Sequence, residues 1–179
     1  MSSNVQSYNL TARVFHWVSA LAVFGLFGVG YWMVDLSYYS EWYRVAPHWH
    51  KSIGILLCIV TVLRIVWKKL SKSPEIEGHR LEVFAAKIAH VAIYILLFTI
   101  FATGYLISTE DGRGIEVFGI FTVPGMGALF EGQADLSGQI HRIAAWILVI
   151  TSSLHALAAL KHHFITKDNT LNKMIGRIK

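Results

Sequence analysis

The chain has 179 residues, 54% of them hydrophobic and only 15% charged, with nine histidines, one cysteine and a formal net charge of +5. Soluble domains average about 25% charged residues, so this composition excludes an ordinary water-soluble domain. It also excludes a nucleic-acid-binding protein: the basic residues flank apolar runs and form no basic face on a polar domain.

Four segments each supply close to the ~20 apolar residues needed to cross a bilayer's hydrocarbon core. The first spans about 12–34, "ARVFHWVSALAVFGLFGVGYWMV". It is too long for a cleavable secretory signal, no Ala-x-Ala follows it, and Tyr and Trp near its end suit an interface anchor. The second spans about 50–68, the third 84–108 and the fourth 137–164. Backbone polar groups in lipid must be satisfied internally, so these runs are expected to be helices. Pro47, Pro74 and Pro124 fall in the connections. The long connection between spans three and four contains "GIEVFGIFTVPGMGALF", apolar but broken by Gly and Pro, and suits a short element lying in the membrane interface. The expected fold is an all-α integral membrane protein, one domain over 1–179 built as a four-transmembrane-helix bundle.

Charge orients the bundle. With four spans, both termini share a side. That side carries twelve of the sixteen basic residues: Arg13, Arg64, Lys68, Lys69, Lys72, Arg80, Lys87, Lys161, Lys167, Lys173, Arg177 and Lys179. It carries only four acids, Glu75, Glu77, Glu82 and Asp168. The positive-inside rule places both termini in the cytoplasm. The two outer connections hold Asp35, Glu41, Glu110, Asp111, Glu116, Glu131 and Asp135 against Arg44 and Arg113, a net charge of −5.

Cys58 stands alone, which leaves no disulfide, no Cys-x-x-Cys-His haem attachment and no iron–sulfur ligation. Histidine carries the chemistry. Ionisable residues inside membrane spans are costly and mark function by default, although a lone ring often only bonds a neighbouring helix. His141 and His155, in "IHRIAAWILVITSSLH", are fourteen residues apart. That is ~21 Å along a helix, and the two rings lie within ~40° of each other around its axis. His16, in the first turns of span one, matches the depth of His155. His50, at the start of span two, matches His141. Zinc or copper would want more ligands close by, whereas a haem iron needs two axial imidazoles because the porphyrin supplies the rest. Gly54, Ala145 and Ala159, each one turn after one of these histidines, leave room for a flat ring. Lys51 and Arg142, beside the outer histidines, and Arg13, one turn before His16, suit haem propionates or simple snorkelling.

The segments "VFHWVSA" (14–20), "WHKSIGILL" (49–57), "AHVAIYILLF" (89–98) and "SLHALAALKHHFITKDNTL" (153–171) resemble the bacterial cytochrome b561 family, small di-haem cytochromes of the inner membrane. The resemblance runs in order over nearly the whole chain and implies two non-covalent haem b groups. Its ligand positions fall on His16, His50, His141 and His155. It makes His90, on span three at the depth of His16 and His155, a neighbour of the haem or of its propionates. Membrane cytochrome subunits of hydrogenases and formate dehydrogenases are similar in helix count and ligand placement.

Bis-histidine ligation leaves no open iron position and favours electron transfer over O₂ chemistry. The expected function is transmembrane electron transfer between the quinone pool and a periplasmic redox protein or small molecule. Two other readings stand beside it: a superoxide oxidase passing electrons to ubiquinone, and a haem-bearing anchor subunit of a larger complex. The acidic outer connections weigh against superoxide, an anion. Lys161, His162 and His163 follow His155 and read either as a proton supply for quinone or as a solvated basic helix end favoured by the helix dipole. His48 and His79 fall in connections and are expected to be solvated.

Overall fold

A computed structural model describes residues 7–76 and 78–177; Glu77 and Lys179, counted above in the charge balance, lie outside the described residues. Four long helices carry the fold: α1 (Leu10–Met33), α2 (Trp42–Leu70), α3 (Arg80–Thr109) and α4 (Gln133–Lys161). Three have the length and apolar composition to cross a membrane: Leu10–Met33, Arg80–Thr109, and α4 with its continuation to Thr166. Most of their large apolar side chains are exposed on the outer faces, as lipid-facing helices require.

α2 begins eight residues before the expected His50 and takes in Pro47, which by sequence falls in a connection. A proline there removes the bond to the Tyr43 carbonyl in the helix's first turn, where the backbone is least committed. His48 is therefore on a half-buried helical turn. His79 is no free loop residue either. It is the N-cap of α3 in a capping box: its side chain accepts from Leu81 N, and its own N–H donates to Glu82 Oε2 at 3.1 Å.

The helices pack as two antiparallel pairs, α1 with α2 and α3 with α4. Asn9 caps α1 by accepting from Ala12 N at 2.9 Å, and the same side-chain oxygen accepts from Trp67 Nε1 near the end of α2 at 3.1 Å. At the other end of this pair, Trp32 meets Trp42 edge-on. In the second pair, Gln133 is fully buried at the start of α4; its amide donates to the Leu106 carbonyl at 2.9 Å and accepts from Leu129 N at 2.8 Å. Lys161 closes the far end on Glu82 at 2.7 Å. The two pairs touch each other far less closely, which leaves a gap between them.

The long connection holds a two-stranded antiparallel hairpin, β1 (Ile115–Val117) and β2 (Phe121–Val123), with Val117 opposite Phe121. β1 packs on α2, burying Ile115 and Val117. Ser52, fully buried on α2, donates to the Glu116 carbonyl and accepts from Phe118 N, both at 3.3 Å. Phe118 sits at φ 50, a left-handed conformation that bulky side chains rarely adopt, and Ser52 holds it there. After α4 the chain makes one π turn (His162–Thr166), reverses at Lys167 with φ 59, and ends in the short helix α5 (Thr170–Ile175).

Candidate functional site

Two pairs of imidazoles face each other across the gap. At the β-hairpin end, the ring centres of His50 on α2 and His141 on α4 are 6.3 Å apart. At the end holding the termini, those of His16 on α1 and His155 on α4 are 6.4 Å apart. These are the depth-matched pairs read from the sequence. A metal–imidazole bond of about 2.0 Å, with about 1.1 Å more to each ring centre, puts two rings on one metal about 6.2 Å apart. Both pairs stand at that distance. Among the described residues no group of three or more His, Cys, Asp or Glu side chains could hold a metal ion. Two facing imidazoles fit a metal that brings its own equatorial ligands.

The rings of the hairpin-end pair are seated on glycine. A Cβ on Gly30 of α1 would come within 3.1 Å of His50 Cε1, and one on Gly104 of α3 within 3.1 Å of His141 Cε1. Each glycine lets a neighbouring helix back an imidazole and push it toward the gap. Gly54 has open space where a Cβ would go. With Ala145 it lines a cavity of about 1180 Å³ that also takes in His50, His141, Lys51 and Arg142. That exceeds the ~300–1,000 Å³ of most ligand sites and leaves room for a group as large as a porphyrin. Phe27 and Tyr31 of α1 meet Trp146 of α4 edge-on and wall its side.

The ring nitrogens differ in their partners. His141 Nδ1 lies 3.1 Å from the Ile100 carbonyl and 3.2 Å from Thr103 Oγ1. A carbonyl only accepts, so Nδ1 carries the proton and Nε2 keeps a lone pair for a metal. His50 Nδ1 is buried without a hydrogen-bond partner. His16 Nδ1 instead lies 3.0 Å from Arg64 Nη2.

The other candidates sort by contact. His90 lies on α3 with its ring centre 5.1 Å from that of His155, closer than the distance across a shared iron, so it stands beside that ring. Arg13 Nη1 donates to the Ile175 carbonyl at 2.9 Å and ties α5 to α1. Lys161 is bound to Glu82 and His163 meets Phe164 edge-on. His162 is half-buried, with Nδ1 2.5 Å from Asp168 Oδ2. Burial pushes the Asp168 carboxyl up, but hydrogen bonds from Thr170 and His162 outweigh it and hold the group below the usual carboxylate range. Lys161 is exposed at the helix end, and His162 is the residue of this segment that the fold holds through Asp168. Sequence reasoning passed over Gly30, Gly104, Arg113 and Arg64. Arg113 lines the cavity near Lys51 and Arg142 and pairs with Asp111 at 2.5 Å.

A family model described as prokaryotic cytochrome b561 matches residues 7–177. The chain is 47% identical over 174 residues to cytochrome b561 homolog 2 of Escherichia coli K12, covering 96% of this chain and 93% of that protein. It is 30% identical over 141 residues to a probable superoxide oxidase CybB of Yersinia pestis, 78% of each chain. It is 27% identical over 178 residues to cytochrome b561 homolog 1 of E. coli K12, 96% of this chain and 98% of that one.

Proposed function

Because this chain belongs to the prokaryotic cytochrome b561 family, a family of bacterial membrane cytochromes carrying b-type haem and moving electrons across the membrane, we propose that it carries electrons through two bis-histidine haem sites between the quinone pool and a periplasmic donor or acceptor. The observation that carries this reading is the pair of His–His separations, 6.3 and 6.4 Å, at two levels of one helical gap. His50 and His141 would hold one haem, and His16 and His155 the other. Each bound haem supplies a reversible one-electron centre. With all four long helices spanning as one domain in the inner membrane and the termini in the cytoplasm, the His16–His155 level faces the cytoplasmic side, where quinone would exchange electrons, and the His50–His141 level faces the periplasm.

The protein's own residues do the rest. Lys51 and Arg142, which line the cavity, would pair with the propionates of a haem held there. Gly30 and Gly104 fix the hairpin-end rings. The hairpin covers that level and limits water there, which strengthens the local electrostatics. His162, oriented by Asp168, can exchange a proton at Nε2 with a quinone oxygen, on the pattern of a histidine positioned by a carboxylate.

The test is reconstitution in proteoliposomes with a quinol in the bilayer and an impermeant acceptor on the β-hairpin side. Turnover requires both His pairs. His162→Gln is expected to slow it about tenfold or more while leaving the haem spectrum intact. Turnover unaltered in the His50→Ala protein contradicts the conduit, and an unaltered rate in His162→Gln removes only the proton role.

Superoxide oxidation is the second reading. Lys51, Arg113 and Arg142 all line the cavity near the outer pair, where an anion would approach, and a relative is named a probable superoxide oxidase. The acidic connections oppose it, and Asp111 neutralises much of Arg113. With a net acidic outer surface, reduction by superoxide is expected to be slow and flat or rising with salt. Stopped-flow rates near the diffusion limit that fall with salt would establish the superoxide reading instead.

A further inference from the structure

The gap has a repeat in it. Each long helix places two residues fourteen apart, one at each level: His16 and Gly30 on α1, His50 and Arg64 on α2, His90 and Gly104 on α3, His141 and His155 on α4. Fourteen residues return a helix to nearly the same face ~21 Å further along. At the β-hairpin level the pattern is two histidines and two glycines. At the terminal level it is three histidines and Arg64. The position on α2 that corresponds to a ligand at one level is thus a guanidinium at the other.

Arg64 is half-buried, with Nη2 3.0 Å from His16 Nδ1 and its guanidinium carbon 5.9 Å from the centre of the Tyr94 ring. Among the described residues no carboxylate pairs with it. His90 and His155 stand beside one another at the same level, and neither brings negative charge. Once His16 gives Nε2 to a metal, a neutral ring carries its proton on Nδ1 and cannot accept from Arg64. What stays is a cation beside the ligand in a poorly screened site. At the hairpin level the influence on the ligand is the opposite one. His141 donates from Nδ1 to the Ile100 carbonyl, which raises the basicity of the ring and favours the oxidised metal. Lys51, Arg113 and Arg142 are also cations, but they lie toward the solvent end, share it with Asp35 and Asp111, and Arg113 is paired.

We infer that Arg64 is a positioning residue for charge: it makes the terminal-level haem the more easily reduced of the two, so that an electron shared between the sites resides at the quinone-facing level. A cation stabilises the state with one positive charge fewer, and among the described residues no carboxylate pairs with this one. The inference rests on the two-haem reading above and adds a direction to it.

The experiment is a spectroelectrochemical titration of the purified, haem-loaded protein. Levels are assigned by repeating it in the His141→Ala background, which keeps the terminal pair alone. Arg64→Gln is expected to retain both haems and to shift the electron distribution at least tenfold toward the hairpin level. That corresponds to a fall of about 59 mV or more in the terminal-level midpoint, with the other unmoved. Arg64→Lys keeps the charge and is expected to keep most of the gap. A gap unchanged in Arg64→Gln, or lost equally in Arg64→Lys, overturns the inference. Loss of the terminal haem in Arg64→Gln also overturns it, since Arg64 would then hold the group instead of tuning it. A wild-type protein with a single haem would fail the two-haem reading itself, and this is seen before any variant is made.

Discussion

Replacing His155 with alanine is expected to remove one haem per chain and leave the other with its spectrum intact. His155 and His16 stand at the terminal level at the separation two rings need across one iron, 6.4 Å. The other pair stands ~21 Å away along α4, too far to share a ligand. Loss should be all but complete, because a single axial imidazole in a site shaped for two leaves an open coordination position and a cavity on one side of the ring. His16→Ala is expected to do the same, and His50→Ala or His141→Ala to remove the other haem instead. His90→Ala is the control. Its ring lies 5.1 Å from that of His155, a side-by-side contact, so both haems should remain. Haem-to-protein ratios by pyridine haemochrome decide this. His16→Ala with two haems and His90→Ala with one would move the ligand from α1 to α3.

The second large effect is expected from a residue that ligates nothing. Gly104→Leu puts a branched side chain where even a Cβ comes within 3.1 Å of His141 Cε1 and 3.4 Å of its Nδ1. The ring must shift by more than the slack in a metal–ligand bond allows, and overpacking of this kind typically costs about 1–3 kcal/mol before any lost ligation. Gly104→Leu and Gly30→Leu should both empty the hairpin-level site selectively while the His16–His155 haem persists. If Gly104→Leu kept both haems and an unchanged midpoint at the hairpin level, the glycine would be an ordinary helix-packing contact.

Much of this was legible in the sequence for a physical reason: helix geometry is rigid enough that fourteen residues fix both depth and face. That is why the spacing of His141 and His155 points to His50 and His16. The same rule could have found Gly30, Gly104 and Arg64, since each is fourteen residues from a histidine on its own helix. They were passed over because glycine in a membrane helix has many uses, and because Arg64 was counted as a surface charge for topology. Gly54, Ala145 and Ala159 were chosen by proximity to the ligands in sequence, whereas the residue that backs an imidazole comes from the neighbouring helix.

The connections were less legible. The hairpin at Ile115–Val123 has three-residue strands, too short for alternation to separate them from an irregular apolar stretch. Its anchor is Ser52, more than sixty residues away, which no local pattern announces. The fate of Lys161 and His162 depended on Glu82 and on a π turn that brings Asp168 back over the helix end. Pro47 reads as part of a connection, whereas it lies near the start of α2, where a proline costs a helix least.

The central claim is that the four histidines hold two haems, each between two imidazoles. The most direct measurement is the haem content of the purified wild-type protein together with its low-temperature electron paramagnetic resonance spectrum in the oxidised state. This account predicts two haems per chain, both low-spin ferric, with no high-spin signal. One haem per chain, or a stoichiometric high-spin signal from an iron lacking an axial ligand, would contradict it.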